Sequence, residues 1–144
     1  MQERLHIADV TVGALMTRPA VTVRPDTSIA TMTSLMAAHP FNGFPVVDDV
    51  GVLQGLVTRA DLLKRYLVPY RRFIVALEDD WAGTVSAIMT RHPITLLSAE
   101  PAVKAIQLMV DHRLRTIPVV EETTAGARLL GVLSRRDVTR ALLD

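Results

Sequence analysis

The sequence contains the same unit twice. The stretch VGALMTRPAVTV at 12–23 returns as VSAIMTRHPITL at 85–96. Further along, GLVTRAD at 55–61 returns as GVLSRRD at 131–137, each with a glycine, two aliphatic residues, a hydroxyl residue and an aspartate. Matches that recur in the same order over tens of residues indicate a duplicated structural unit. The chain is therefore expected to fold as two similar units.

Each copy shows the same order of predicted elements, which is strand, helix, strand, strand, helix. The β-branched stretches 21–23 and 94–96 predict short strands. Apolar residues at helical spacing predict helices over 26–39 and 98–112, with Ser98 as a cap of the second. The residues expected on the buried helix faces are Ile29, Met32, Leu35, Met36, Ala102, Ala105, Ile106 and Met109.

Paired strands and a closing helix complete each copy. FPVVD at 44–48 and IPVVE at 117–121 predict strands that pair with the glycine-led stretches after them. The turn between the paired strands is expected to be longer in the second copy, where EETTAGAR at 121–128 replaces DDVGV at 48–52. Because strands and helices alternate within each copy, the expected fold class is mixed α/β, or α+β.

The two predicted units span residues 8–68 and 85–144, joined by a connector at 69–84. Within the connector, the stretch 70–81 predicts a further helix. The basic and aromatic residues at 64–72 are typical of nucleic-acid sites, but also of a solvated connector face. The solvated face is the preferred interpretation.

Composition excludes several classes of function. Cysteine is absent, so the chain has no disulfide, thiol nucleophile or thiolate metal ligand. The formal net charge is +1, from 16 basic and 15 acidic residues, which gives no general attraction to nucleic acid or an anionic membrane. No apolar run approaches the ~20 residues of a membrane span and the first residues do not form a signal peptide, so a cytoplasmic protein is expected. With 49% apolar residues, the chain is expected to bury surface against a second copy or another domain, and a homodimer or larger assembly is expected.

These motifs resemble the CBS domain, the repeat first noticed in cystathionine beta-synthase. The shared features are MT before a strand, a helix ending in LM, PVVD or PVVE, and a glycine-led strand that closes on T-x-x-D or S-x-x-D. The resemblance covers about residues 10–143 and is carried by an ordered set that occurs twice. A tandem pair of this kind, called a Bateman module, implies two pseudo-symmetric repeats packed as one disc with two clefts between them. Many such pairs bind adenosine nucleotides or S-adenosylmethionine in the clefts, and some copies bind nothing known.

The resemblance implies a ligand site in each copy. Asp61 and Asp137 would bind the ribose, since a carboxylate can accept hydrogen bonds from both sugar hydroxyls. Thr58 and Ser134, each just before a helix, would donate to a phosphate, which a helix N-terminus also favours. The residues expected to flank the base are Thr22, Phe44, Thr95 and Ile117, and the expected ligand-binding set is completed by Pro45, Arg59, Pro118, Arg135 and Arg136.

Arg136 makes the two expected sites unequal. It stands between Arg135 and Asp137, where the first copy has Ala60. An arginine at this position can donate two hydrogen bonds to the oxygens of one phosphate. The second site is therefore expected to favour di- or triphosphates over the monophosphate more than the first site does. The alternative is that Arg136 points into solvent.

Two of these features also have purely structural interpretations. The T-x-x-D and S-x-x-D motifs are close to a capping box, in which the first residue caps a helix and the fourth reaches back. His39 and His112 match across the copies and suggest a metal, but each stands near a predicted helix end, where a cation is mildly favoured. No second ligand recurs at metal spacing, so no metal site is expected.

The sequence therefore favours a regulatory, ligand-sensing module rather than an enzyme. No serine–histidine–acid arrangement, phosphate loop or pair of catalytic carboxylates is recognisable. The expected ligand contains adenine, as in AMP, ADP, ATP or S-adenosylmethionine, and no cofactor is required. Binding would stabilise one arrangement of the module, which an unidentified regulated protein would detect. The alternatives are a structural or protein-interaction module with empty clefts, and a nucleic-acid binder through residues 64–72.

Overall fold

The computed structural model describes residues 7–65 and 83–143 of the 144-residue chain. The predicted helix at 70–81 lies outside the described residues, as does most of the basic and aromatic segment at 64–72. The described residues form a mixture of helices and strands, which confirms the expected α/β or α+β class.

Both repeats contain a long helix, two paired strands and a closing helix in the same order, and the second repeat has two additional short strands before its long helix. In chain order the elements are α1 (Val12–Leu15), α2 (Ile29–Ala38), β1 (Gly43–Val47), β2 (Leu53–Thr58), α3 (Arg59–Arg65), a short 3-10 helix (Val85–Ala87), β3 (Thr90–Arg91), β4 (Leu96–Leu97), α4 (Ala102–His112), β5 (Thr116–Thr123), β6 (Gly126–Ser134) and α5 (Arg135–Leu143). Among these described helices, none is long and apolar enough to cross a membrane.

The chain divides into two compact units, and each unit combines parts of both repeats. The described parts of residues 1–20, 51–53 and 93–144 form one unit, which we call the Asp137 unit. The described parts of residues 21–50 and 54–92 form the other, which we call the Asp61 unit. Each unit therefore joins the main part of one repeat to the MT segment of the other.

In the Asp61 unit a sheet with the strand order β1-β2-β3 packs against α2. Strands β2 and β3 run antiparallel, with Leu56 opposite Thr90. Val23 adds a single parallel bridge to β1 at Val46. The core of this unit consists of Val23, Met32, Met36, Phe44, Val46, Val57 and Val85.

In the Asp137 unit a sheet with the strand order β4-β5-β6 packs against α1, α4 and α5. Strands β4 and β5 are parallel, whereas β5 and β6 are antiparallel. Thr17 extends this sheet by an antiparallel bridge to Val132. The core of this unit consists of Val12, Leu96, Ala105, Met109, Ile117, Val119, Leu133 and Val138.

A glycine in each repeat lets the MT segment of the other repeat approach the sheet. A Cβ atom at Gly55 would lie 2.7 Å from the carbonyl oxygen of Thr90, and one at Gly131 would lie 2.6 Å from that of Thr17. Any larger residue would have to displace the neighbouring backbone, because a side-chain carbon does not fit at these distances. The glycine that opens GLVT and GVLS is therefore linked to the repeated MT motif.

The helices lie where the sequence predicts them, with shifted ends. Helix α2 begins after Ser28, whose hydroxyl accepts a hydrogen bond from the Thr31 N–H. The cap predicted at Ser98 is wrong, because α4 begins at Ala102 with Pro101 in the capping position. On both helices every residue predicted to face the core is buried or half-buried, which confirms the helical spacing.

The strand predictions need three corrections. The stretch 21–23 contributes a single bridge at Val23 instead of a strand, and the strand predicted at 94–96 is the shorter β4. The long turn predicted at 121–128 is also wrong, since β5 and β6 extend through it to a turn at 124–125. The additional residues lengthen the hairpin because their backbone groups pair with one another across it.

Candidate ligand-binding sites

The first candidate site lies where β2 meets α3. The backbone N–H of Thr58 donates to Oδ2 of Asp61 over 2.9 Å, and the Asp61 N–H donates to Thr58 Oγ1 over 3.2 Å. The Thr58 hydroxyl also donates to Oδ2 of Asp61, over 3.1 Å. These reciprocal bonds form the capping box of the structural interpretation. Oδ1 of Asp61 accepts no hydrogen bond from residues 7–65 or 83–143.

The second candidate site lies where β6 meets α5 and repeats the capping box. The Ser134 N–H donates to Oδ2 of Asp137 over 2.9 Å, and the Asp137 N–H donates to Ser134 Oγ over 3.1 Å. The hydroxyl of Thr17 additionally reaches both carboxylate oxygens, 3.1 Å from Oδ1 and 3.3 Å from Oδ2. Both Asp61 and Asp137 are half-buried.

The start of each helix is tied to the segment that leads into the PVV strand. The N–H of Arg59 donates to the Asn42 carbonyl oxygen over 3.2 Å, and the N–H of Arg135 donates to that of Arg115 over 3.0 Å. These bonds fix the helix starts beside the first residues of β1 and β5. The backbone therefore presents the two carboxylates in equivalent places.

The three arginines of the predicted set are held differently. Arg59 donates through Nη2 to two carbonyl oxygens at the C-terminal end of α2, over 2.7 and 2.8 Å. Arg135 donates through Nε to the Leu114 carbonyl oxygen over 2.8 Å. Arg136 is exposed, and its guanidinium makes no hydrogen bond or ion pair within the described part of the chain. Arg59 and Arg135 thus hold backbone carbonyl groups here, and ligand contact by these three arginines stays a prediction.

The residues predicted to flank a base differ in their solvent exposure. Phe44 and Ile117 are each 0% exposed within the two cores. Neither side chain can contact a ligand in this structure, because neither has any solvent-exposed surface. Pro45 and Pro118 are buried as well. Their contact with a ligand stays a prediction that requires them to gain exposure.

The two threonines of the predicted set are more accessible. Thr22 is exposed and directly precedes Val23, whose N–H donates to the Pro45 carbonyl oxygen over 3.0 Å. Thr95 is half-buried and directly precedes β4, which pairs with β5 in a parallel orientation. Both side chains therefore belong to segments next to a PVV strand, and their contact with a ligand stays a prediction.

An aromatic cluster at the end of α2 is missed by sequence reasoning. The rings of His39 and Phe41 stack with centroids 5.2 Å apart, and Phe41 meets Phe44 edge-on at 6.0 Å. Phe41 keeps 41% of its surface exposed. The second repeat has Leu114 and Ile117 at the matching positions, so a comparison of the two copies would have revealed the difference.

The contact between Thr17 and Asp137 is missed as well. The repeated MT motif marks Thr17 as part of a pattern, but nothing in the pattern says which aspartate it meets. The answer depends on the backbone bridge between Thr17 and Val132, two residues before Ser134.

Glu100 lies outside both candidate sites, in the turn before α4. The hydrogen bond from the Lys104 ammonium group and that from the Leu97 N–H lower the pKa of Glu100. His39 and His112 lie at the ends of α2 and α4, as predicted. Within residues 7–65 and 83–143, no group of three or more histidines or carboxylates is placed to hold a metal ion.

The family model of the CBS domain matches residues 12–68 and 85–144. A CBS domain-containing protein of Dictyostelium discoideum is 29% identical, with 93% of this chain and 92% of that protein covered. Two enzymes contain a similar region. Homoserine O-acetyltransferase of Methanococcoides burtonii is 31% identical over 94% of this chain, and inosine-5′-monophosphate dehydrogenase of Mycobacterium tuberculosis is 32% identical over 89%. The chain spans 25% and 21% of the length of these enzymes.

Solved structures of CBS-domain pairs have the same fold. CBSX2 from Arabidopsis thaliana is 30% identical with a TM-score of 0.77, covering 93% of this chain and 94% of that one. A CBSX2 structure in complex with AMP is 29% identical with a TM-score of 0.78, covering 93% and 96%. The CBS domain pair of protein MJ0100, in complex with 5′-methylthioadenosine and S-adenosyl-L-methionine, is 26% identical with a TM-score of 0.73, covering 91% and 94%.

Proposed function

Since the chain belongs to the CBS domain family, we propose that it is a regulatory module that binds an adenosine nucleotide or a related adenine-containing ligand. The proposed ligand-binding carboxylates are those of Asp61 and Asp137. The observation that carries the proposal is the equivalent placement of a half-buried carboxylate at the start of α3 and of α5. An acceptor-only carboxylate suits a pair of sugar hydroxyls.

The ligands of similar proteins support this choice. CBSX2 has been solved with AMP, and the MJ0100 pair with 5′-methylthioadenosine and S-adenosyl-L-methionine. These molecules share an adenine and a ribose with two free hydroxyls, whereas their 5′ substituents differ. The candidates for this chain are accordingly AMP, ADP, ATP and S-adenosylmethionine, with the two carboxylates recognising the part that all of them share.

The proposed action is regulatory rather than catalytic, and it uses no cofactor. A ligand that binds one conformation better than another shifts the population toward it, and a regulated protein detects that shift. The regulated protein is a further part of the proposal, as is the cytoplasmic location expected from the sequence.

We propose a homodimer as the functional assembly. Exposed apolar residues on the Asp137 unit support it, because such residues are commonly covered by a partner. The most exposed of these residues are Val103 and Val110 on α4 and Leu142 and Leu143 on α5. Sedimentation at tens of micromolar is expected to show a dimer, and a monomer there would remove this part of the proposal.

One alternative has a specific observation in its favour. Both aspartates take part in complete capping boxes, which is all that a structural or protein-interaction module with empty clefts would require of them. Such a module would gain no stability from any adenine-containing compound.

Thermal unfolding in the presence of AMP, ADP, ATP, S-adenosylmethionine and GMP separates the two functions. A true ligand at about 100 times its Kd is expected to add about 2.7 kcal/mol to the free energy of unfolding, raising Tm by several degrees. GMP tests whether adenine is required, and the double variant Asp61→Ala/Asp137→Ala is the matched control without the carboxylates. An unchanged Tm with every adenine compound would favour the structural module.

A further inference from the structure

The carboxylate of Asp137 is already engaged by a side chain from the other repeat. The Thr17 hydroxyl lies 3.1 Å from Oδ1 and 3.3 Å from Oδ2, so it stands in front of both oxygens at nearly equal distance. Ser134 also bonds to Oδ2 through its N–H, at 2.9 Å. Both oxygens of this carboxylate therefore have a protein donor within hydrogen-bonding distance.

The equivalent threonine in the Asp61 unit makes no such contact. Thr90 stands opposite Leu56, just as Thr17 stands opposite Val132. Within the described residues no hydrogen bond joins the Thr90 hydroxyl to Asp61, and Oδ1 of Asp61 accepts none. With the same backbone arrangement, Oδ1 of Asp61 thus accepts no hydrogen bond from the described residues, whereas both oxygens of Asp137 lie within 3.3 Å of the Thr17 hydroxyl.

We propose that Thr17 is an internal competitor for the sugar-binding carboxylate of Asp137. This inference rests on the proposed function, because it assigns a control to one of the two proposed sites. A ligand at the Asp137 site has to displace the Thr17 hydroxyl before its two sugar hydroxyls reach the oxygens. At the Asp61 site Oδ1 accepts no hydrogen bond from the described residues, so this site fills at lower ligand concentration.

Competition follows from the geometry of the acceptor. A carboxylate has about four lone-pair positions, and the backbone N–H of Ser134 uses one of them. A pair of ribose hydroxyls has to reach both oxygens, and the Thr17 hydroxyl already lies within hydrogen-bonding distance of both.

The substitution Thr17→Val tests the proposal because it removes the hydroxyl and keeps the shape of the side chain. The backbone N–H and carbonyl group of Thr17 bond to Val132 over 2.8 and 3.0 Å, and this pairing does not depend on the side chain. Thr17→Ser keeps the hydroxyl, and Thr90→Val is the matched change in the Asp61 unit. Each is combined with Asp61→Ala or Asp137→Ala, so that calorimetry with AMP measures one site at a time.

With Asp61→Ala as background, Thr17→Val is expected to tighten AMP binding at the Asp137 site by about two- to tenfold, the range of one exposed hydrogen bond. Thr17→Ser is expected to bind within about twofold of its parent. With Asp137→Ala as background, neither Thr17→Val nor Thr90→Val is expected to change AMP affinity at the Asp61 site. The Asp61 site is also expected to bind AMP more tightly than the Asp137 site.

Unchanged or weaker AMP binding by Thr17→Val at the Asp137 site would overturn the inference and leave the proposed function intact. Absence of binding by the unsubstituted chain to AMP and to S-adenosylmethionine would instead remove both. If Thr17→Val folds poorly, the relative affinity of the two single-site proteins decides. Tighter binding at the Asp61 site supports the competitor, and equal or weaker binding overturns it.

Discussion

The two candidate sites have the same backbone frame but hold their aspartates differently. In the Asp61 unit the hydroxyl donor is Thr58, three residues away in the same turn. In the Asp137 unit it is Thr17, 120 residues away along the chain. The local donor leaves one carboxylate oxygen open, whereas the distant donor covers both. A duplicated unit can therefore keep its frame while access to its functional group diverges.

The side chains around the two sites also differ. The cluster of His39, Phe41 and Phe44 is present in the Asp61 unit, and leucine and isoleucine replace the two phenylalanines in the other repeat. A carbonyl oxygen of the MT segment lies at nearly the same distance from a Cβ atom built at either glycine, 2.7 Å at Gly55 and 2.6 Å at Gly131. The close backbone crossing is therefore shared, whereas the side chains around the sites differ.

The largest expected effect is the loss of either carboxylate. Asp61→Ala and Asp137→Ala are each expected to weaken AMP binding at their own site by about 1.5–3 kcal/mol, roughly ten- to a hundredfold, because a charge-assisted pair of hydrogen bonds to the ribose is lost. Calorimetry on each variant measures the remaining site.

Asparagine at the same positions is the control for the capping role. It keeps one oxygen for the backbone N–H of Thr58 or Ser134 but loses the charge and one acceptor. If the alanine variants lose stability while affinity per folded molecule is unchanged, the aspartates act as helix caps alone.

A second effect tests whether the crossing is truly common to both units. Gly55→Ala and Gly131→Ala each place a methyl group within 2.7 Å of a carbonyl oxygen of the neighbouring segment. Both are expected to lower the free energy of unfolding by about 1–3 kcal/mol, measured by urea unfolding, because the backbone has to move. Destabilisation by one variant and not by its partner would show that the crossings are unequal.

A smaller effect is expected from substitution of Arg136 in the Asp137 unit. Arg136 is exposed, so its contact with a phosphate is worth about 0.2–1 kcal/mol. In the Asp61→Ala background, Arg136→Ala is expected to reduce affinity for ATP more than for AMP. Ala60→Arg is the reciprocal change, measured in the Asp137→Ala background, and is expected to favour ATP at the Asp61 site. Equal AMP-to-ATP affinity ratios in all of these proteins would show that Arg136 points into solvent.

The smallest expected effect is a pH dependence of the free energy of unfolding that comes from Glu100 in the Asp137 unit. The turn before α4 is held by the Leu97 N–H donating to Glu100 over 2.8 Å, whereas the matching turn before α2 uses the neutral hydroxyl of Thr27, which accepts from the Arg24 N–H over 3.0 Å. Because the pKa of Glu100 is lowered in the folded chain, the charged form stabilises the fold above the ordinary pKa of 4.5. This stabilisation is lost as the pH falls through the lowered value.

Glu100→Gln is therefore expected to reduce the free energy of unfolding by about 0.3–0.5 kcal/mol at pH 7, because the ion pair with Lys104, four residues along the chain, is lost. The difference from the unsubstituted chain is expected to shrink as the solution is acidified. Thr27→Val is the matched variant, and its effect is expected to be independent of pH in this range. A constant difference for Glu100→Gln from pH 7 to acid would contradict the role assigned to the carboxylate.

Much of the fold and part of the site can be predicted from the sequence. The spacing of Met32, Met36 and Met109 predicts buried helix faces because side chains three or four residues apart share a face in any helix. The Thr58–Asp61 turn is equally local, so its capping box can be predicted in advance. Phe44 is harder, since its position before PVV does not reveal that it belongs to the same core as Met32 and Val57.

By itself, the sequence determined that the chain is duplicated, where its long helices and paired strands occur, and where its two carboxylates begin a helix. These properties depend on neighbouring residues and on the comparison of one copy with the other. The tertiary structure alone decided that the segment 121–128 extends a hairpin and that Thr17 covers Asp137. Both depend on which backbone groups pair across space, and residues separated by 120 positions carry no local signal of their meeting.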